Sequence, residues 1–235
     1  MSRLPALLLL ATLQCSPPVG PGRLDYTSSD VADAAERVTG RRAHMGGAIR
    51  LLAGTRVAGP AVTLHIVRDD SASLTAEGLA TIRLVEAAPE GSVIVVAMDG
   101  DRDFAVFGTT FATLGLSRGL GGFVIEGAVR GLPALQRLGF PVFARGTVAG
   151  SAGGHYRIAG TNVPISIAGV EITSGDFIVG DADGVVVAPR ERVTEILARA
   201  RALRREKEEL LPLITRFHSY TRAVGEYRRR RQGGS

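Results

Sequence analysis

The chain has no tryptophan, one cysteine (Cys15) and four histidines among its 235 residues. A single cysteine excludes an intramolecular disulfide and any Cys-based zinc cluster, and it fits a reducing compartment. His44, His65, His155 and His218 are scattered, with no HxxxH or HExxH pair, so zinc hydrolase chemistry is not expected. Lysine is scarcer still: one, Lys207, among 28 basic residues. An imine-forming enzyme needs an amine in a desolvated pocket that lowers its pKa. Lys207 lies in RREKEE, which reads as a solvated helix face. Pyridoxal phosphate chemistry and lysine-type aldol cleavage are excluded together. No stretch reaches the roughly 18–20 apolar residues of a membrane span, so a cytoplasmic protein without a membrane partner is expected. The apolar N-terminal run MSRLPALLLLATLQC is short and carries bulky Leu13-Gln14 before Cys15. It therefore reads as a docking helix in preference to a lipoprotein signal.

What is present is basic charge, +5 overall, unevenly placed. Residues 190–235 carry 13 basic and 6 acidic side chains, and residues 1–189 carry 15 and 17. The body is nearly neutral, so nucleic acid is not the expected partner. The RRRR run at 228–231 reads as a disordered, solubilising end. A mass of 24.6 kDa with 45% hydrophobic residues suits one domain. We divide the chain into an extension (1–25), an α/β domain (26–211) and a basic segment (212–235), partly helical or disordered.

The patterning alternates strand and helix. Ser28-Ser29-Asp30 reads as an N-cap before a helix, and residues 56–66 as a strand. Asp69-Asp70-Ser71 reads as the cap of a helix over 72–87. The continuous apolar run 92–98 predicts a strand buried on both faces. A helix is expected over 105–118, with Asp99, Asp101 and Asp103 as its caps. A strand at 121–127, a helix at 132–138 stopped by Gly139, and a strand at 140–146 follow. Beyond 146 short β runs are broken by AG, SG and DADG, which predicts hairpins. Residues 190–211 predict an amphipathic helix that Pro212 interrupts.

One stretch carries a resemblance. Arg118-Gly119, Gly122, Glu126-Gly127, Val129-Arg130 and Gly139-Phe140-Pro141-Val142-Phe143 stand in an ordered pattern. It resembles the family that joins 4-hydroxy-4-methyl-2-oxoglutarate aldolases with the regulator of ribonuclease activity A. TSSDVADAAERV, MGGAIR, GPAVT and VPISIAGVEITSGDFIVGDADGVVVAP extend the resemblance over roughly residues 26–210. It implies an α/β fold with a central β/β/α sandwich and flanking helices. It also implies a homotrimer or a dimer of trimers, with sites at subunit interfaces. In such aldolases an Arg-Asp pair binds the 2-oxo acid and ligates a divalent metal. A Gly-acid-Leu turn holds the carboxylate and supports the metal's water shell.

By that resemblance Arg130 is the substrate arginine and Gly108 the turn glycine. The chain departs at three positions: Gly131 stands at the metal-ligating Asp, and Thr109 and Thr110 stand at the acid and Leu of the turn. Magnesium and manganese are held by oxygen ligands, usually one or two carboxylates. No cofactor is therefore expected, and Mg2+ or Mn2+ only if the metal site is rebuilt. The candidate site comprises Arg130, Gly108, Thr109 and Thr110 for a small carboxylate substrate, with Glu126 and His155 as acid or base by residue type. Three readings stay open. One is a metal-free enzyme working on a carboxylate- or enol-bearing substrate by decarboxylation, dehydration, isomerisation or cyclisation, with a biosynthetic pathway as one setting. The others are a 2-oxo acid lyase with a rearranged metal site, and a non-enzymatic regulatory binding protein.

Overall fold

The computed structural model describes residues 24–232. The N-terminal apolar run and Cys15 lie outside the described residues. The architecture is α/β, built on one nine-stranded sheet with the path β1-β6-β5-β3-β2-β10-β11. Four parallel strands form its heart: β2 (Val57–Arg68), β3 (Val93–Ala97), β5 (Gly122–Val129) and β6 (Val142–Thr147), with short β4 (Ala105–Phe107) beside β5. Antiparallel β1 (Arg50–Ala53) pairs with β6, β7 (Tyr156–Thr161) with β2, and β10 (Phe177–Asp181) joins β2 to β11 (Gly184–Ala188). Edge strands β1 and β11 approach each other, so the sheet curls toward a barrel.

Period-two patterning separates two cores. Along β3, Ile94 and Val96 face one cluster with Phe107, Phe123 and Phe140, while Val93, Val95 and Ala97 face the other. That second cluster is closed by the hairpin β8 (Ile165–Ile167) and β9 (Val170–Ile172), whose Ile165, Ile167 and Ile172 are buried in it. The first is covered by α2 (Leu74–Ala87), α3 (Thr109–Ser117) and α4 (Leu132–Leu138). Hairpin, sheet and helices make the β/β/α layering that the resemblance implies. DADG is the turn between β10 and β11.

Four expectations are corrected. Ala105–Phe107 is a strand, because it adds to the open side of β5 before Gly108 admits α3. The cap of α2 is Ser73, whose hydroxyl accepts the Ala76 N–H at 3.2 Å, leaving Asp69 and Asp70 for other partners. Asp99, Asp101 and Asp103 cap no helix. Asp99, at φ 50°, accepts from His65 Nε2 at 2.9 Å, and Asp101 accepts the Asp103 N–H at 2.8 Å. Pro212 does not end its helix: α5 runs from Val193 to Phe217. A proline interior to a helix costs about 3 kcal/mol. Here Leu213, Leu210, Ile214 and Phe217 pack on Ala223 and Tyr227 of α6 (Tyr220–Gln232), and that burial offsets the cost. The basic C-terminal segment is thus a helical hairpin through residue 232.

Thr27 caps α1 (Ser28–Thr39), and Asp30 reaches back to its N–H at 3.0 Å. Asp30 is 1% exposed, yet Lys207 donates to it at 2.7 Å. Burial alone would raise the Asp30 pKa. The bonds from Lys207 and Thr27 outweigh burial and hold it below the usual carboxylate range. The same pairing raises the Lys207 pKa, the reverse of what imine chemistry requires. Lys207→Met should lower stability by about 1.5–3 kcal/mol at neutral pH, read by urea unfolding. A depressed carboxylate gives stability that is present above its unfolded pKa and lost as pH falls through the folded one. The wild-type advantage should therefore close only below about pH 4. An advantage that persists unchanged into acid would refute the assignment.

Candidate active site

The C-terminal ends of the parallel strands gather the polar residues of interest. Arg130 follows β5, and its N–H donates to Phe107 O at 3.1 Å, fixing it beside the end of β4. Gly108, next in the chain, is the N-cap of α3 and carries no side-chain cap. The two residues touch: a Cβ at Gly108 would stand 3.1 Å from Arg130 Cγ. Gly131 lies in the left-handed region (φ 75°, ψ 32°) as the N-cap of α4. A Cβ there would stand 2.9 Å from Thr109 Oγ1. The structure thus brings Arg130, Gly108, Thr109 and Gly131 together.

The first turn of a helix has N–H groups without intrahelical partners, and its dipole favours negative charge. At α3 those groups belong to the Thr109-Thr110 turn. The Arg130 guanidinium is exposed and makes no hydrogen bond or ion pair among the described residues. An unengaged cation beside an uncapped helix start can take a carboxylate through two kinds of donor at once.

Glu126 is placed differently. It is 5% exposed on β5, accepting the Met98 N–H at 3.0 Å and Arg145 Nη2 at 2.9 Å. Both carboxylate oxygens are engaged, so the group ties β5 to β3 and β6.

His155 belongs to a third group. Its ring stacks on Phe104, centroids 4.0 Å apart, and Nδ1 donates to Asp70 at 2.8 Å. A carboxylate only accepts, so His155 Nε2 is the free acceptor while the ring is neutral. Asp70 also accepts Arg68 Nε at 2.9 Å, and the His155 and Arg68 bonds hold its pKa below the usual range. Arg68 lies over Phe104, 4.8 Å from the ring centroid. Buried Tyr156 has its hydroxyl pushed up to about 12, chiefly by desolvation and further by Asp101. Asp70, Arg68 and Phe104 escape a reading of the chain, because the β2–β7 pairing, Arg68 opposite Tyr156, brings the first two to His155 and the Ala105–Ser151 bridge brings Phe104. From Phe104 to Gly108 is about 13 Å of extended chain, so the His155 group and Arg130 are separate clusters.

A metal finds poor support in this chain. Gly131 offers no side chain, Thr109 and Thr110 offer hydroxyls only, and Glu126 is committed to Arg145. Among the described residues no three His, Cys, Asp or Glu side chains converge as a ligand set. The donor set does not fit a hard divalent cation.

Residues 28–187 match the family model described as RraA-like, Aldolase/RraA. The chain belongs to the RraA-like family. A relative in Halalkalibacterium halodurans, provisionally named 4-hydroxy-4-methyl-2-oxoglutarate aldolase, is 37% identical over 153 residues, 65% of this chain and 69% of its own length. Protein DlpA of Legionella pneumophila is 27% identical over 87% of this chain, which spans only 33% of DlpA. Among solved structures, an uncharacterised Pseudomonas syringae protein matches with TM-score 0.77 and 28% identity, over 86% of this chain and 90% of that one. Streptomyces coelicolor RraAS2, an unusual member of the RNase ES inhibitor RraA family, matches with TM-score 0.69 and 25% identity, over 79% and 91%. The RraA-like match ends before α5, so the C-terminal hairpin lies beyond it. No described helix is long and apolar enough to cross a membrane.

Proposed function

We propose that this RraA-like protein is an enzyme of lyase or isomerase type that acts on a small carboxylate-bearing, enolisable substrate without a metal. The observation that carries the reading is the unengaged Arg130 against the uncapped start of α3, with glycine at position 131. Arg130 and the Thr109-Thr110 N–H groups would hold the carboxylate. Breaking a bond beside a carbonyl leaves an electron pair that delocalises onto oxygen as an enolate. A fixed guanidinium at that oxygen stabilises the charge where it develops. Decarboxylation, dehydration, isomerisation and cyclisation all share this demand. Glu126, paired with Arg145, is assigned a positioning role in this reading. His155 remains the proton-transfer candidate for a substrate that extends from Arg130 toward Phe104. The exposure of Arg130 agrees with a pocket closed by a neighbouring copy, as the trimer implied by the resemblance would provide.

The name of the H. halodurans relative favours a second reading, a 2-oxo acid lyase with a rearranged metal site. Chelation separates the two. A panel of 2-oxo and 4-hydroxy-2-oxo acids, oxaloacetate included, should be converted equally with and without EDTA when followed by proton NMR. Loss of turnover on chelation and its return with Mg2+ would overturn the metal-free reading. Gly131→Asp offers a complementary test. Aspartate tolerates the left-handed region at a cost of about 1–2 kcal/mol. The variant should gain Mg2+ or Mn2+ affinity, read by calorimetry, that the parent lacks.

A further inference from the structure

A cavity of about 670 Å3 opens at the other end of β2, between the chain before α1 and the middle of α5. Four arginines line it. Arg56 precedes β2, and Arg201, Arg204 and Arg205 stand three and four residues apart on α5, which places them on one face. Two of the three acids that line it are paired with arginines, while Asp181 keeps its charge. Asp25 accepts Arg201 Nε at 3.0 Å, and Glu208 accepts Arg204 Nε at 2.7 Å. Asp181 accepts the Ser28 N–H at 2.8 Å and the Ser28 hydroxyl, anchoring α1. Arg56 and Arg205 have no carboxylate partner among the described residues.

Two further donors on lining residues are enclosed behind the open surface without a partner among the described residues. Arg56 is held by Nη2, which donates to Tyr26 O at 3.1 Å, while its Nε is buried without a partner. The Tyr26 hydroxyl is also buried without a partner among the described residues. Burial raises its pKa, so it stays a proton donor at neutral pH. Buried orphans in native proteins call for a partner or an ordered water.

We infer that this cleft binds a phosphate group, free or as the phosphomonoester end of a small molecule. The four arginines exceed Asp25, Asp181 and Glu208 by one charge, and a tetrahedral anion offers acceptor oxygens to the Arg56 and Arg205 forks together. The volume exceeds one phosphate and leaves room for an organic remainder. The cleft is not the Arg130 site. Ala61 stands level with Val93 and Gly122, so Arg56 and Arg130 lie at opposite ends of the sheet. Some 13 residues of rise, roughly 40 Å of strand, separate them.

The experiment titrates the full chain with inorganic phosphate, glucose 6-phosphate and glucose by calorimetry at constant ionic strength. Saturable binding of one or both phosphate compounds, and none of glucose, is expected. Tighter glucose 6-phosphate assigns a monoester, and tighter inorganic phosphate the free ion. Arg205→Gln, on an exposed helix position, should weaken binding about tenfold or more, and Arg56→Gln likewise if it folds. Arg130→Ala should bind as the parent does. No saturation by either phosphate at millimolar concentration, equal binding of chloride, or a loss that follows Arg130 instead of Arg205 would overturn the inference.

Discussion

Arg130→Ala should lower kcat/KM by about 10³-fold on whatever carboxylate substrate the protein turns over, because it removes the charge that both holds the acid and meets the developing enolate. Its thermal midpoint should hardly move. The guanidinium has no partner among the described residues, and exposed substitutions of that kind stay within about 0.5 kcal/mol. Arg130→Lys is the sharper comparison. Lysine keeps the charge but loses the planar fork, so it should recover only a small part of the activity. Steady-state kinetics beside a melting curve reads both quantities. An Arg130→Ala protein that is fully active places the site elsewhere. One that is inactive only because it has unfolded makes Arg130 a structural residue.

Glu126 carries the largest expected effect on stability. Its carboxylate is almost fully buried, with Arg145 on one oxygen and the Met98 N–H on the other. Breaking a buried pair by removing one partner leaves an uncompensated charge and costs about 3–5 kcal/mol. Glu126→Ala should therefore lower the midpoint by roughly 10 °C, at some 2–4 °C per kcal/mol for a chain of this size. Glu126→Gln keeps an acceptor for Met98 and should lose distinctly less. Arg145→Ala combined with Glu126→Ala should cost less than the sum of the single changes, since neither charge is then stranded. A Glu126→Gln protein that is as stable as the parent but catalytically dead would make Glu126 a reacting acid instead of a tie between strands.

The two residues illustrate what a chain discloses. Both were legible as candidates, Arg130 through the resemblance that RG, EG and VR carry and Glu126 as an acid near the end of a buried strand. Their division of labour was not. Whether a carboxylate at a strand end is free or paired depends on what the adjacent strand presents, and Arg145 comes from β6, nineteen residues on. His155 shows the same limit: its place in a glycine-rich loop says nothing of Asp70, which is 85 residues away in the chain. Asp99, Asp101 and Asp103 misled because aspartates before an apolar run resemble a helix cap. The run is instead an edge strand, and its identity rests on the neighbouring β5.

Composition alone decided what this protein is not. One cysteine closes off an intramolecular disulfide, and one lysine argues against imine chemistry; the Asp30 contact of that lysine adds the physical reason, since it stabilises the ammonium. Local patterning decided the α/β class, the doubly buried β3 and the turn at DADG, because period-two and period-3.6 burial and turn chemistry act over a few residues. Tertiary structure decided the rest. Packing against α6 carried α5 through Pro212 and set the basic segment in a helical hairpin, with Arg228–Arg231 still exposed. Folding also left Arg130 unengaged while Arg145 was spent on Glu126, and set Arg56 beside three arginines of α5. Charges act through space at distances of a few ångströms, and only the fold fixes which of 27 arginines find a carboxylate and which are left to find a ligand.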